Sequence, residues 1–185
     1  MSGYETLSSR YIFEGRCVRL RVDSVRLPSG LEVEREVVEH CGAVAIVALN
    51  NEGEILLVRQ FRQAAGKELL EIPAGGIDAD ETPEQSAYRE MQEETGYAPG
   101  ELKRLGGFYV APGYDDEFLH LFLATELKPA RLTAEDTGEI EIVRVTPQEA
   151  SELIRKGEIQ DAKSIAGILY YLKFEAGHES CPQLP

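Results

Sequence analysis

The chain has 185 residues, 43% of them hydrophobic and 28% charged, and carries a formal net charge of −14. That length supports one hydrophobic core with a small appendage. The acidity argues against a basic face for nucleic acid, and no apolar run of about eighteen residues is present to span a membrane. The N-terminus, MSGYETLSSRYIFEGR, lacks a basic stretch followed by an apolar one, so no secretory signal is expected. Cys17, Cys41 and Cys181 are odd in number and lack metal-ligand spacing, which fits thiols in a reducing cytoplasm.

Residues 1–40 read as a small antiparallel β-meander. Tyr11-Ile12-Phe13 opens one strand; Val18, Leu20 and Val22 alternate with arginines in a second; Leu27-Pro28-Ser29-Gly30 turns the chain; Leu31, Val33, Val37 and Val38 resume it. Such a sheet is barely stable alone and has to pack on the rest of the chain or on a second subunit. Cys41 to Leu49 is a continuous apolar run, suited to a strand buried on both faces. Asn50-Asn51-Glu52-Gly53 turns it into a hairpin partner ending at Arg59. Gln60 to Lys67 reads as a polar loop, and Leu69 to Ile72 leads into Pro73-Ala74.

Thr82 and Pro83 suit a helix N-cap and first turn, and Gln85 completes a capping box. Gly96 suits the C-cap, so the helix spans about Pro83 to Thr95. At helical spacing Glu90 and Glu94 stack one turn apart with Glu93 beside them, while Ala87, Tyr88 and Met91 turn toward a core. Three carboxylates near a helix C-terminus repel one another and oppose the helix dipole. Either the face is merely solvated or a cation compensates; oxygen-only ligands suit a hard divalent ion such as Mg²⁺ or Mn²⁺. Further on, strands are expected over Leu102–Tyr109, Phe118–Ala124 and Ile140–Val145, with helices from Pro147 to about Arg155 and from about Asp161 to Phe174. In the last helix Ile165, Ile168, Leu169 and Leu172 form the apolar face. Residues 41–175 form the main domain and 176–185 a loose tail. Strands, one helix, strands and two helices, without strict alternation, indicate an α+β (mixed α/β) fold.

The stretch Gly75, Glu81, Arg89-Glu90, Glu93-Glu94 and Gly96 resembles the Nudix hydrolase signature GX5EX7REUXEEXGU at every fixed position. A chance match in a chain of this length is on the order of one in a million. The resemblance implies the Nudix fold, a mixed-sheet sandwich between helices, and hydrolysis of a nucleoside diphosphate linked to another group. Within the superfamily, Pro112, 16 residues after Gly96, and the stretches EREVVEHCGAVAIVAL, VRQFRQAAGKELLEIPAGG and APGYDDEFLHLFLA resemble ADP-ribose pyrophosphatases. The substrate it implies is a nucleoside diphosphate sugar, foremost ADP-ribose cleaved to AMP and ribose 5-phosphate. ADP-glucose, GDP-mannose and dinucleoside polyphosphates are the alternatives, and a non-catalytic nucleotide-binding module is the alternative of another class.

By this resemblance Glu90, Glu94, Glu93 and the Ala74 carbonyl are the expected metal ligands, for two or three Mg²⁺ (or Mn²⁺) ions. Arg89 pairs with Glu81 and orients the other acids. Arg35, Arg62, Pro112 and Glu117 are the substrate candidates, and Phe13, Tyr109 or Tyr114 could stack on the base. The water-activating acid comes from Glu135, Asp136 or Glu139, with Glu139 first and Glu93 its rival. His40 and His120 read as core or edge residues and His178 as solvated. A homodimer joined through the N-terminal meander, cytoplasmic and without nucleic-acid or membrane partners, completes the expectation.

Overall fold

The computed structural model describes residues 3–133 and 140–176. It begins with a three-stranded antiparallel sheet, β1 (Glu5–Glu14), β2 (Val18–Arg26) and β3 (Glu32–His40). Every residue of β1 is exposed, including Tyr11, Ile12 and Phe13. Polar pairing replaces a core here: Asp23 is buried beneath Arg21, whose Nε donates to it at 3.0 Å. The sheet meets the rest of the molecule at the end of β3. There the Val38 amide donates to the Tyr114 carbonyl (2.7 Å), and the Asp116 amide donates to the Val38 carbonyl (3.1 Å).

The main sheet has seven strands: β4 (Ala43–Leu49), β5 (Ile55–Arg62), β6 (Lys67–Glu71), β7 (Ala74–Gly76), β9 (Glu101–Tyr109), β10 (Phe118–Thr125) and β12 (Glu141–Val145). Its order is β12-β5-β4-β10-β9, with β6 on β5 and β7 on β4. A small pair, β8 (Tyr97–Ala98) and β11 (Lys128–Pro129), stands apart. The apolar run of β4 is buried on both faces, as its composition demands. Ala45 and Val47 pack with Ile55, Leu121 and Ile168, whereas Val44, Ile46 and Ala48 pack with Leu56, Met91 and Phe122. The first face is covered by α2 (Pro147–Lys156) and α3 (Ala162–Phe174), and the second by α1 (Pro83–Glu90). The result is the expected mixed sheet between helices. Each fully buried Ile, Leu or Phe in it stabilises the fold by roughly 1.5–3 kcal/mol.

One irregularity makes room for a site. β4 and β5 pair only through Ala48↔Leu56 and Leu49↔Ile55, then diverge. Beyond that point β6 follows β5 and β7 follows β4. Pro73, which lacks an N–H, joins the two short strands, and its carbonyl accepts from the Ile46 amide at 2.8 Å.

Local differences from the sequence reading have physical causes. The expected loop Gln60–Lys67 is mostly hairpin, since Phe61 pairs with Glu68 and Arg62 with Lys67. Phe61 is exposed, so the strand end carries no apolar alternation to reveal it. The helix expected to reach Thr95 is α-helical to Glu90 and then widens into a π-helical turn, Met91–Thr95, which Gly96 closes at φ +75°. Tyr88 is exposed while Ala87 and Met91 are fully buried. In α3, Leu169 faces solvent and Tyr171 takes its place in the core. The expected tail lies almost wholly outside the described residues.

Candidate active site

The site forms where α1 and its π turn lie against β7. Thr82 caps α1 as a full capping box: its Oγ1 accepts from the Gln85 amide (3.2 Å) and the Thr82 amide donates to Gln85 Oε1 (2.8 Å). Ser86, fully buried, donates from its hydroxyl to the Gly76 carbonyl at 3.0 Å and fastens the helix to the strand. Gly75 admits the acid of the next turn. A Cβ there would stand 2.0 Å from the Glu90 carboxyl, so only glycine leaves that carboxylate its place.

Arg89 organises the acids. Its Nε and Nη2 donate to the two oxygens of Glu81, both at 2.8 Å, and its Nη1 donates to Glu90 (2.6 Å) and Glu93 (3.0 Å). Its Nη2 also reaches the Gly76 carbonyl (3.1 Å). One guanidinium thus joins the loop acid, two helix acids and the strand. The bidentate pair with Arg89 holds the Glu81 carboxyl below its ordinary range, and the same bonds hold Arg89 firmly charged.

Glu90 and Glu94 differ from their neighbours in being buried. Burial pushes the Glu90 carboxyl up despite Arg89, and pushes Glu94 up to about 7 although it accepts the Ala74 amide at 3.0 Å. Glu90 raises it further, while Arg62 and Lys163 act to lower it. Two buried carboxylates that resist ionisation, beside the backbone oxygens of β7, are an oxygen-rich donor set suited to a hard divalent cation. Each keeps oxygen lone pairs unused by the bonds above. Among the described residues no three His, Cys, Asp or Glu side chains already converge as a closed cage. Two carboxylates and backbone oxygen are donors that Mg²⁺, which usually keeps several waters, could use.

Beside these acids runs a cleft of about 440 Å³, whose lining includes His40, Arg62, Glu71, Gly75, Glu117 and Lys163. Its wall is a charge network that sequence reasoning missed. Glu71, only 1% exposed, accepts from Arg62 Nη2 and from Lys163 Nζ, each at 2.6 Å, and Lys163 also donates to Asp161 at 2.9 Å. Burial acts to raise Glu71, but Arg62 and Lys163 outweigh it and hold the carboxyl below its ordinary value. Two cations and two anions balance there, so the wall offers a polyanion little net attraction. Lys163 lies 92 positions from Glu71 in sequence, and no motif marks it.

The substrate candidates divide. Arg62 and Glu117 line the cleft, with Glu117 Oε1 3.7 Å from His40 Nδ1. Arg35 does not reach it within this chain: exposed on β3, it donates to the Glu34 carbonyl. Pro112 is exposed in the turn after β9 and does not line the cleft, although its neighbour Val110 does. Tyr109 packs edge-on against Phe118 with ring centroids 5.1 Å apart, and Tyr114 and Phe13 are exposed. His40 is half-buried at the cleft; His120 pairs with Arg104 at 2.8 Å, and burial with that charge lowers its pKa. Glu135, Asp136, Glu139 and His178 lie outside the described residues. No described helix is long and apolar enough to cross a membrane.

Comparison with known proteins agrees with this geometry. Residues 39–167 match the NUDIX domain, and residues 4–38 match the nucleoside diphosphate sugar hydrolase N-terminal domain. An ADP-ribose pyrophosphatase of Bacillus subtilis (strain 168) is 41% identical over 174 residues, 93% of this chain and 94% of that protein. A methanol dehydrogenase activator of Bacillus methanolicus is 38% identical over 174 residues, with the same shares covered. Among solved structures, an ADP compounds hydrolase superposes with a TM-score of 0.85 over 95% of this chain and 96% of that one; at 20% identity this bears on the fold. With its domain match, its relatives and its glycine-backed acid cluster in agreement, the chain belongs to the Nudix hydrolase family.

Proposed function

We propose that this enzyme hydrolyses the pyrophosphate bond of a nucleoside diphosphate sugar, with ADP-ribose as the foremost substrate and AMP and ribose 5-phosphate as products. The observation that carries the reading is the pair of buried carboxylates, Glu90 and Glu94, set against Gly75 and tied by Arg89 to Glu81 and Glu93. The substrate follows from the similarity to the B. subtilis ADP-ribose pyrophosphatase and from the N-terminal domain match. Nudix enzymes are metal-dependent, generally on Mg²⁺. Glu90, Glu94 and the Ala74 carbonyl would hold the ion here, with Glu93 beside them. An ion bound there would neutralise charge on the non-bridging oxygens of the pyrophosphate and would lower the pKa of a bound water.

The chain's own residues supply the rest. Arg89 fixes the acids in place and keeps Glu90 from swinging toward solvent. Arg62, braced by buried Glu71, and Lys163 present N–H groups to the cleft, and Glu117 and His40 close its other side. The attacking water loses its proton to a carboxylate base; Glu139, just ahead of β12 in sequence, is our first assignment and Glu93 the second. The N-terminal sheet serves as dimerisation and recognition element. Its uncovered outer strand meets a second subunit, and β3 carries Arg35 toward that subunit's cleft.

Purified protein assayed with Mg²⁺ and with Mn²⁺ against ADP-ribose, ADP-glucose, GDP-mannose and a dinucleoside polyphosphate tests the proposal by product identity. AMP and ribose 5-phosphate should appear from ADP-ribose, and both a chelator and Glu94→Gln should abolish them while the circular dichroism spectrum is retained. Preferential cleavage of GDP-mannose would reject the substrate. Tight nucleotide binding without turnover on any of the four would instead support a regulatory module, a role that the methanol dehydrogenase activator keeps in view.

A further inference from the structure

Cys17 and Cys41 take no part in the machinery above, yet the fold brings them to one place. The antiparallel ladder of β2 and β3 ends at Val18↔His40, one residue short of Cys17, in the turn that Gly15 and Val18 close, and of Cys41, in the link to β4. Val18 and His40 are directly opposed, which sets their Cα atoms about 4.5–5.5 Å apart, and each cysteine is bonded to one of them; a disulfide needs Cα atoms roughly 4.4–6.8 Å apart. Both thiols are free and exposed, and both line a second cavity of about 240 Å³ with Gly15, Arg16, Glu39 and His40. Access, attachment to one opposed strand pair and a shared cavity go beyond two incidental surface cysteines.

Cys41, whose Sγ donates to the Gly42 carbonyl at 3.5 Å, also lies near the active-site strand. Its Sγ lies 3.7 Å from where a Cβ on Gly76 would stand. The next residue, Gly42, has φ +81°, and its carbonyl accepts from the Ile77 amide at 3.2 Å just past β7. Cys41 thus lies between the foot of the N-terminal sheet and the Gly75–Gly76 strand that backs Glu90.

We propose that Cys17 and Cys41 form a reversible intramolecular disulfide that locks the foot of the N-terminal sheet and, through Cys41, constrains β7. The oxidant is a hydroperoxide. One thiolate attacks the peroxide oxygen, the O–O bond breaks, and a sulfenic acid and water (or an alcohol) result. The second thiol displaces water from the sulfenic sulfur to give the disulfide. The two thiols lose two electrons and the peroxide gains them; a dithiol reductant reverses the bond by exchange. Reversible, redox-sensing bonds are the usual kind in a reducing compartment.

The test uses the full chain carrying C181S, oxidised with hydrogen peroxide and compared with the same protein after dithiothreitol. Intact mass should fall by two hydrogens, and a peptide map should show Cys17 joined to Cys41. Turnover should fall by about tenfold, as small displacements of catalytic groups produce, and recover on reduction. C17S in the same background should keep its reduced activity and lose both responses. A subunit-to-subunit bond, over-oxidation without a bond, or a Cys17–Cys41 bond that leaves turnover unchanged would each overturn the proposal. The bond is read by mass and is independent of which substrate the enzyme cleaves.

Discussion

Gly75 shows how much depends on one absent carbon. Gly75→Ala would place its Cβ 2.0 Å from the Glu90 carboxyl. That carboxyl ends a flexible side chain, so the chain should fold nearly as well, with Glu90 displaced. Turnover should drop by about 100-fold with a thermal midpoint close to wild type, as steady-state kinetics and melting would show. Glu94 gives a pH prediction. Its folded pKa is raised from 4.5 to about 7, so between those values the folded state holds a proton that the unfolded chain has released. The contribution is favourable at low pH and is lost as pH rises through about 7, at most about 3 kcal/mol. Raised Glu90 acts in the same direction. Lowered Glu71 and Asp161 act oppositely, but only on acidification below the ordinary carboxylate range. Metal-free protein should therefore melt lower at about pH 8 than at about pH 5; Glu94→Gln should flatten that slope, and Mg²⁺ should offset it. The residue types and their spacing were legible in the sequence. The division between buried Glu90 and Glu94 and half-buried Glu81 and Glu93 was not, because burial depends on how β7 meets the helix.

At the scale of elements, local chemistry was readable where it is local. Thr82 and Thr146 each form a capping box with the residue three positions on, and Thr82→Ala should cost about 1 kcal/mol in denaturant unfolding. The π turn was not readable, since α and π spacing share the same residues and the widening is settled by packing against the sheet. Nor was the wall network. Lys163 reads as an ordinary first-turn lysine until the fold brings it to Glu71 at the end of β6. Removing Glu71 would leave Arg62 and Lys163 without their buried partner, and Glu71→Ala should destabilise the fold by about 3 kcal/mol, measured by chemical denaturation. A loss below about 1 kcal/mol would mean that water enters the wall and replaces the carboxylate.

For the whole molecule, a −14 charge and an uncovered outer strand pull in opposite directions. Tyr11, Ile12 and Phe13 are exposed on a sheet with little core of its own, and the proposed subunit contact would cover them. Sedimentation of the wild type should give a dimer at micromolar concentration, and Ile12→Ser with Phe13→Ser should shift it to monomer. If Arg35 acts across that contact, the monomeric variant should also show a raised KM. A wild type that sediments as a monomer would remove this role from the meander. The sequence located the meander from its alternation, but it held no sign that Arg35 stays away from its own chain's cleft.

The ladder between β4 and β7 has one more consequence. Gly75 and Gly76 look like loop residues, and loop amides ordinarily exchange with solvent within seconds. Here they pair with Val44 and Ala43 of a strand buried on both faces. The amides on the bonded side of β7 should exchange only when the central sheet itself opens, at a free energy near that of global unfolding. Hydrogen exchange should then find this glycine strand among the most protected segments of the protein, and cation binding should slow exchange throughout β4 as well as at the acids that hold the ion.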